Sequence, residues 1–251
     1  MADNRLLNAP NTFGTSFVAA SARLGRYDST EADVEGTIGL LGLQPGARVV
    51  EAGCGPGRFA RALHAAGMKV TGYDISPQVI DLARQESPGP DYIVGDMGDL
   101  PRWSAEAIVN VFSSFGYGAT PEDDAAILAA WRRALTPGGG LLMELSDLER
   151  AEHRLGRDGG VFKRSSGGVD EELRMDWDRQ VLHVCYRTAE DELECDTRIY
   201  SRQQLTGMAR SAGFVDIRTF GGFDRRPKTP DDRLVLVAAT PAEEDEGQAA
   251  H

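Results

Sequence analysis

The stretch VVEAGCGPGRFA, Val49 to Ala60, places one carboxylate, Glu51, just ahead of three glycines at alternate positions. Glycines this dense let the backbone turn tightly and leave bare N–H groups facing a ligand. Two more acids follow: Asp74 closes KVTGYDIS, and Asp96 stands in VGDMGDLP. Asp74 comes about 20 residues after the first glycine, the separation at which a carboxylate accepts ribose hydroxyls. Asp96 is placed to reach an adenine amino group. A dinucleotide site would favour the spacing G-x-G-x-x-G. Here the third glycine is one residue early, and Arg58 holds the position that pattern wants. Three carboxylates around the turn would also repel a pyrophosphate. They suit a nucleoside that carries positive charge.

The acids and glycines need a scaffold that brings them to one edge. ARVVEA, KVTGYDIS, DYIVGDM, AIVNVFSSF and LLMEL read as five strands, separated by helical stretches such as GRFARALHAAGM, SPQVIDLARQES and PEDDAAILAAWRRAL. The apolar residues of the first helix, Phe59, Ala62, Leu63 and Ala66, recur three or four apart. Strands alternating with helices predict right-handed crossovers and a doubly wound, mostly parallel α/β sheet of the Rossmann-like kind. Ligands of such sheets sit beyond the C-terminal strand ends, where all three acids fall. Before this region, EADVEGTIGLLGL predicts a helix with Val34, Ile38 and Leu41 on one face. Residues 1–30 form an N-terminal segment in which TSFVAASARLGRY alone has helical spacing. Between 146 and 200 the rhythm breaks: VLHVCYRT and ELECDTRIY alternate with period two, predicting an antiparallel β insertion between strand five and the last helix. SRQQLTGMARSAGF then returns to helix and RLVLVAAT to strand. The main domain runs over 31–240, and 241–251 read as a disordered acidic tail.

The chain of 251 residues carries 39 acids against 27 Lys+Arg, a formal net charge of −12. That balance argues against a nucleic-acid partner, because neutralising phosphate requires a basic face. No run of residues has the length and apolarity of a membrane span. Three separated cysteines suggest neither a disulfide framework nor a metal site, and no secretory leader pattern opens the sequence, so a cytoplasmic location is expected.

VVEAGCGPGRFA, VTGYDIS, VGDMGDLP, VNVFSSFGY and LTPGGGLLMEL occur in the order and spacing of the class I S-adenosylmethionine-dependent methyltransferases, which this chain resembles closely over about residues 30–145. The segment from Ile199 to Asp224, with RLVLVAAT, is similar to the last helix and strand hairpin of the small-molecule members. The resemblance implies a seven-stranded sheet and S-adenosylmethionine as cofactor, with S-adenosylhomocysteine as product. It implies that Glu51 and the backbone of Gly53, Cys54, Gly55 and Gly57 hold the methionine part. Asp74 would bind the ribose, Ile75 would pack on the adenine, and Asp96 with Met97 would read its edge. Phe112 and Ser113 would line the sulfonium and acceptor pocket.

The acceptor is expected to be a small molecule, taken under a lid formed by the insertion. Asn110-Val111-Phe112-Ser113 lacks the Asn-Pro-Pro-Tyr motif found in many methyltransferases that act on base or amide nitrogens. His153 is a candidate general base, although a lone histidine in LERAEHRLGR equally reads as a surface residue. Glu144 either faces the acceptor or pairs with a neighbouring helix. Tyr117, and Tyr27 in the N-terminal segment 1–30 that the resemblance implies folds over the cofactor site, are candidates for acceptor contact or for core packing. Arg198 and Tyr200 in TRIYS are placed near the active face, and Trp177 and Tyr186 are candidate lid aromatics. In-line methyl transfer needs no metal. A monomer or homodimer is expected. Two alternatives stand beside this reading: a cofactor-binding but non-catalytic partner protein, and a nicotinamide-dependent oxidoreductase.

Overall fold

The computed structural model describes residues 6–8, 12–25, 29–86, 89–102 and 105–242. Tyr27 and most of the acidic tail, residues 243–251, lie outside the described residues. Two helices come first, α1 (Thr15–Arg23) and α2 (Thr30–Leu41). The α/β core follows with β1 (Arg48–Ala52), α3 (Arg58–Ala65), β2 (Lys69–Asp74), α4 (Pro77–Glu86), β3 (Asp91–Val94), β4 (Ala105–Asn110), α5 (Pro121–Ala134) and β5 (Leu135–Leu145). An inserted region carries α6 (Leu148–Leu155), β6 (Phe162–Ser166), β7 (Val169–Asp176), β8 (Val181–Arg187) and β9 (Glu192–Arg198). The chain closes with α7 (Arg202–Ser211), β10 (Val215–Phe220) and β11 (Leu234–Ala239).

The main sheet has the order β10-β11-β5-β4-β1-β2-β3. Strands β1 to β5 pair in parallel, while β11 runs antiparallel to both β5 and β10. The strand order reverses between β1 and β4, so the ends of β1, β2 and β4 open on one crevice. Helix packing covers both faces. On one, Leu128 and Trp131 of α5 and Leu205 of α7 pack on Ile108, Leu141 and Leu236; on the other, Phe59 and Leu63 of α3 and Ile80 of α4 pack on Val49, Val70 and Val109. Burying this much apolar surface supplies the main driving force of the fold.

Local sequence sets the helix ends. Thr120 and Asp123 form a capping box at the start of α5, with Pro121 in its first turn, acids following and Arg132 and Arg133 at the far end. Ser201 and Gln204 cap α7 in the same way. Helix α6 was not anticipated by the sequence reading, yet Asp147 caps it by accepting the Arg150 N–H at 3.1 Å. The insertion is therefore a helix followed by a four-stranded antiparallel sheet, β6-β7-β8-β9. Helix α1 joins that sheet through a third core of Ala20, Leu24, Val169, Val184 and Tyr186.

Candidate active site

A cavity of about 370 Å³ lies between the C-terminal ends of the main sheet, α1 and one face of the inserted sheet. Glu51, Gly53, Cys54, Gly55, Asp74, Ile75, Asp96, Met97, Phe112, Ser113 and Tyr117 all line it.

The strand ends shape the cofactor side. Gly53 has a φ of +74°, and a Cβ there would stand 2.8 Å from the Ser114 Cβ, so both conformation and space require glycine. Asp74 accepts the Gly55 N–H at 2.9 Å on one oxygen and the Ser76 N–H at 3.0 Å on the other. Its carboxylate is thus fixed across the glycine turn, with lone pairs left for further donors. Burial pushes the Asp74 carboxyl up, against the lowering effect of those backbone bonds. Asp96 is oriented by the Gly98 N–H at 2.7 Å. The Met97 carbonyl is held by the Trp131 indole N–H at 2.8 Å, which ties the turn after β3 to α5.

Glu51 is a strongly perturbed acid of the cavity wall. It is 2% exposed, and its Oε2 has no hydrogen-bond partner. Burial pushes its carboxyl up to about 8, although the Arg58 guanidinium pulls the other way. A buried acceptor without a partner is costly unless a ligand satisfies it. The amides of the glycine turn are already engaged, Gly53 and Cys54 donating to the Tyr73 carbonyl at 2.8 Å and 2.9 Å and Gly55 to Asp74. The unpaired Glu51 oxygen is the group that an ammonium would satisfy, and it fits the amino-acid part of S-adenosylmethionine.

Phe112 and Ser113 carry φ values of 59° and 61°, uncommon for residues with side chains. The Glu144 carboxylate accepts the Phe112 N–H at 2.8 Å, and the Ser113 Oγ accepts the Ser146 N–H at 2.9 Å. Arg58 lies over the Phe112 ring, 4.4 Å from its centroid. The turn after β4 is therefore held from three sides and aimed into the cavity.

Other candidates are corrected. Gly57 does not line the cavity; it precedes α3 with a φ of +73°, and the Tyr92 ring occupies the space a side chain would need. Its role is packing. Glu144 is also outside the cavity wall: Arg233, from the loop before β11, donates to both its oxygens at 3.0 Å. Arg198 and Tyr200 are buried beneath the site, both bonded to Asp124 of α5, at 3.1 Å and 2.7 Å. An isolated buried acid draws in donors from any adjoining strand, and here that need outweighs acceptor contact. His153 sits on α6, about half exposed and 3.3 Å from Asp231. Trp177 does not line the cavity, whereas Tyr186 does. Replacing His153 with Gln is expected to change stability by less than about 1 kcal/mol, as for other exposed pairs. A urea titration with circular dichroism checks this, and a larger loss would contradict the assignment.

Sequence reasoning named the inserted sheet and Tyr186 for the far wall but not its other residues. Phe13, Phe17, Val18 and Leu24 come from the N-terminal segment, and Leu173, Leu182, Val184, Tyr186, Cys195 and Thr197 from the inserted sheet. In β8 these are alternate residues, so the period-two pattern held the signal but not which face turns inward. Four further arginines, Arg150, Arg154, Arg164 and Arg233, complete the wall.

A doubly wound sheet of this order, with an acid at the ends of β1 and β2 and a glycine turn between β1 and α3, defines a methyltransferase-type Rossmann-like fold. The family model described as a methyltransferase domain matches residues 49–139. That match supports the resemblance to the class I S-adenosylmethionine-dependent methyltransferases over this stretch of the chain. It is 32% identical over 143 residues to a malonyl-[acyl-carrier protein] O-methyltransferase of Serratia marcescens, a match covering 55% of each chain. This chain spans about half the length of the curated relatives it matches. Its fold is similar to that of an S-adenosylmethionine-dependent methyltransferase from Clostridium acetobutylicum, with a TM-score of 0.74 at 14% identity, covering 90% of this chain and 98% of that one. It is also similar to CalS10, an amino pentose methyltransferase from Micromonospora echinaspora solved with S-adenosylmethionine bound, with a TM-score of 0.64 at 21% identity, covering 88% of this chain and 96% of that one. Among the described residues, no helix is long and apolar enough to cross a membrane.

Proposed function

We propose that the protein methylates a small molecule, held between the strand ends and the inserted sheet, with S-adenosylmethionine as donor. The observation that carries this reading is Glu51, a buried carboxylate on the cavity wall with an unpaired oxygen. Glu51 would receive the ammonium group, Asp74 the ribose hydroxyls, and Asp96 with the Met97 segment the adenine edge. When bound, S-adenosylmethionine supplies an electrophilic methyl group on a sulfonium.

The protein's own task is then alignment. Holding nucleophile and methyl in line can contribute roughly 7–11 kcal/mol. The turn of Phe112 and Ser113, fixed by Glu144 and Ser146, would form the floor of the acceptor site. Tyr117 and the alternate residues of β8 would enclose it and exclude water. No histidine lines the cavity among the described residues. An acceptor that needs no strong base, either a neutral amine or an oxygen already ionised, suits this wall best.

Calorimetry with S-adenosylmethionine and S-adenosylhomocysteine tests the reading; failure to bind either overturns it. Asp74→Ala is expected to weaken S-adenosylhomocysteine by at least tenfold, since about 1.4 kcal/mol accompanies each tenfold change and two hydroxyl contacts would be lost. Unchanged affinity would remove Asp74 from the site.

A further inference from the structure

Apart from Arg58 near Glu51 and Glu171 beside Arg164, the charges around the cavity are sorted. Following the main sheet from β3 to β11, the acids Asp96, Asp74 and Glu51 come first, at or just beyond the ends of β3, β2 and β1. Past β4 the sign changes. Arg150 and Arg154 project from α6, which begins directly after β5, and Arg233 stands immediately before β11. The inserted sheet adds Arg164.

These guanidiniums are unequally neutralised. Arg164 pairs with buried Glu171 at 2.8 Å, and Arg233 with Glu144 at 3.0 Å. Arg150 is half-buried, yet its hydrogen bonds go to neutral oxygens, the Asp231 carbonyl at 2.9 Å and the Ser146 hydroxyl at 3.4 Å. Burial and the like charges of Arg154 and Arg233 lower its pKa to about 10. Burial lowers the Arg154 pKa and the Asp231 carboxylate raises it, with Arg233 lowering it and Glu171 raising it further. Four arginines here face three carboxylates, Glu144, Glu171 and Asp231, so the wall keeps a positive excess that an anion would stabilise. Guanidinium forks match carboxylate and phosphate oxygens. Next to it the wall turns apolar, with Phe17, Leu24, Leu173, Leu182 and Val184.

We propose that Arg150, with Arg154 and Arg233, forms an anion-recognition subsite, so that the methyl acceptor is an amphipathic molecule with an apolar body and a carboxylate or phosphate group. This rests on the methyltransferase reading for the word acceptor, but the subsite itself is a property of the wall. The cofactor's positive groups settle at the acidic end and the acceptor's anion at the basic end. The same charge sorting fixes the orientation of both molecules and rejects cationic amines of similar shape.

The test uses the full-length protein and three probes that share one body: 4-phenylbutanoate, 4-phenylbutanamide and 4-phenylbutylamine. A matched pair, phenyl phosphate and phenol, distinguishes phosphate from carboxylate as the anion. Binding is read by calorimetry with and without S-adenosylhomocysteine. At least one anionic probe is expected to bind tenfold or more tightly than its neutral partner, with the amine weakest. Arg150→Gln should abolish that preference while retaining S-adenosylhomocysteine affinity, and Arg150→Lys should restore part of it. Arg154→Gln, at an exposed position, should reduce it without disturbing the fold. Equal binding of charged and neutral probes, tighter binding of the amine, or an anion preference that survives both Gln substitutions would overturn the subsite. Anion preference without any S-adenosylhomocysteine binding would instead uphold the subsite and reject the cofactor assignment.

Discussion

Glu51→Gln is expected to weaken S-adenosylhomocysteine binding by roughly 30- to 1,000-fold, about 2–4 kcal/mol, while making the unliganded protein more stable. The binding loss follows from removing one member of a buried ion pair and leaving the ammonium without its counter-charge. The gain in stability follows from linkage. Burial raises the Glu51 carboxyl to about 8 in the folded protein, well above its ordinary range. Between the unfolded and folded values the folded state therefore holds one more proton than the unfolded chain. Glu51 stabilises fully only below its unfolded pKa, and stability falls as pH rises towards about 8. A neutral glutamine removes that fall, a gain on the order of 4 kcal/mol at about pH 8. The same reasoning makes wild-type affinity for S-adenosylhomocysteine climb with pH by up to about tenfold per unit below the Glu51 pKa, with a proton released on binding. Calorimetry in buffers of different ionisation enthalpy measures that proton. Affinity independent of pH, or a variant less stable than wild type at about pH 8, would contradict the assignment of Glu51 as a strained binding group.

Arg198→Met is expected to cost about 3–5 kcal/mol of folding stability, because it strands the Asp124 carboxylate in the core. Asp124 is fully buried and accepts from the Gly118 N–H at 2.8 Å, the Tyr200 hydroxyl at 2.7 Å and Arg198 at 3.1 Å. Burial pushes its carboxyl up while these three donors hold it down. Arg198 also donates to the carbonyls of Gly118 and Ala119, at 2.8 Å and 3.1 Å. One guanidinium therefore ties the end of the inserted sheet to α5 and to the loop after β4. Lys offers a point charge without the planar fork and should rescue only partly. Urea denaturation gives the stability, and S-adenosylhomocysteine affinity measured well below the transition should stay within about twofold of wild type. A variant of normal stability that instead loses acceptor affinity would return Arg198 to the acceptor site.

The contrast between Glu51 and Arg198 shows where sequence reasoning succeeded. Glu51, Asp74 and Asp96 were legible because a parallel sheet sends all its C-terminal strand ends to one side, so position along the strand decides the location. Glycine spacing was legible for Gly53, whose conformation and surroundings both exclude a side chain. Gly57 shares the pattern but serves Tyr92 packing, a contact between β3 and the start of α3 that no local signal reports. Glu144 carried two open readings. Its partner proved to be Arg233, 89 positions away in the chain, supplied by a loop and not by a helix.

By itself the sequence determined the doubly wound sheet, the glycine turn and the acidic end of the cavity. Each follows from local periodicity and from the handedness of βαβ crossovers. Only the tertiary structure decided the other end. Helix α6 places Arg150 and Arg154 four residues apart beside Arg233, and the inward face of the inserted sheet is fixed by its packing on α1. Alternation tells that a strand has two faces, but which face meets the cavity depends on what it packs against.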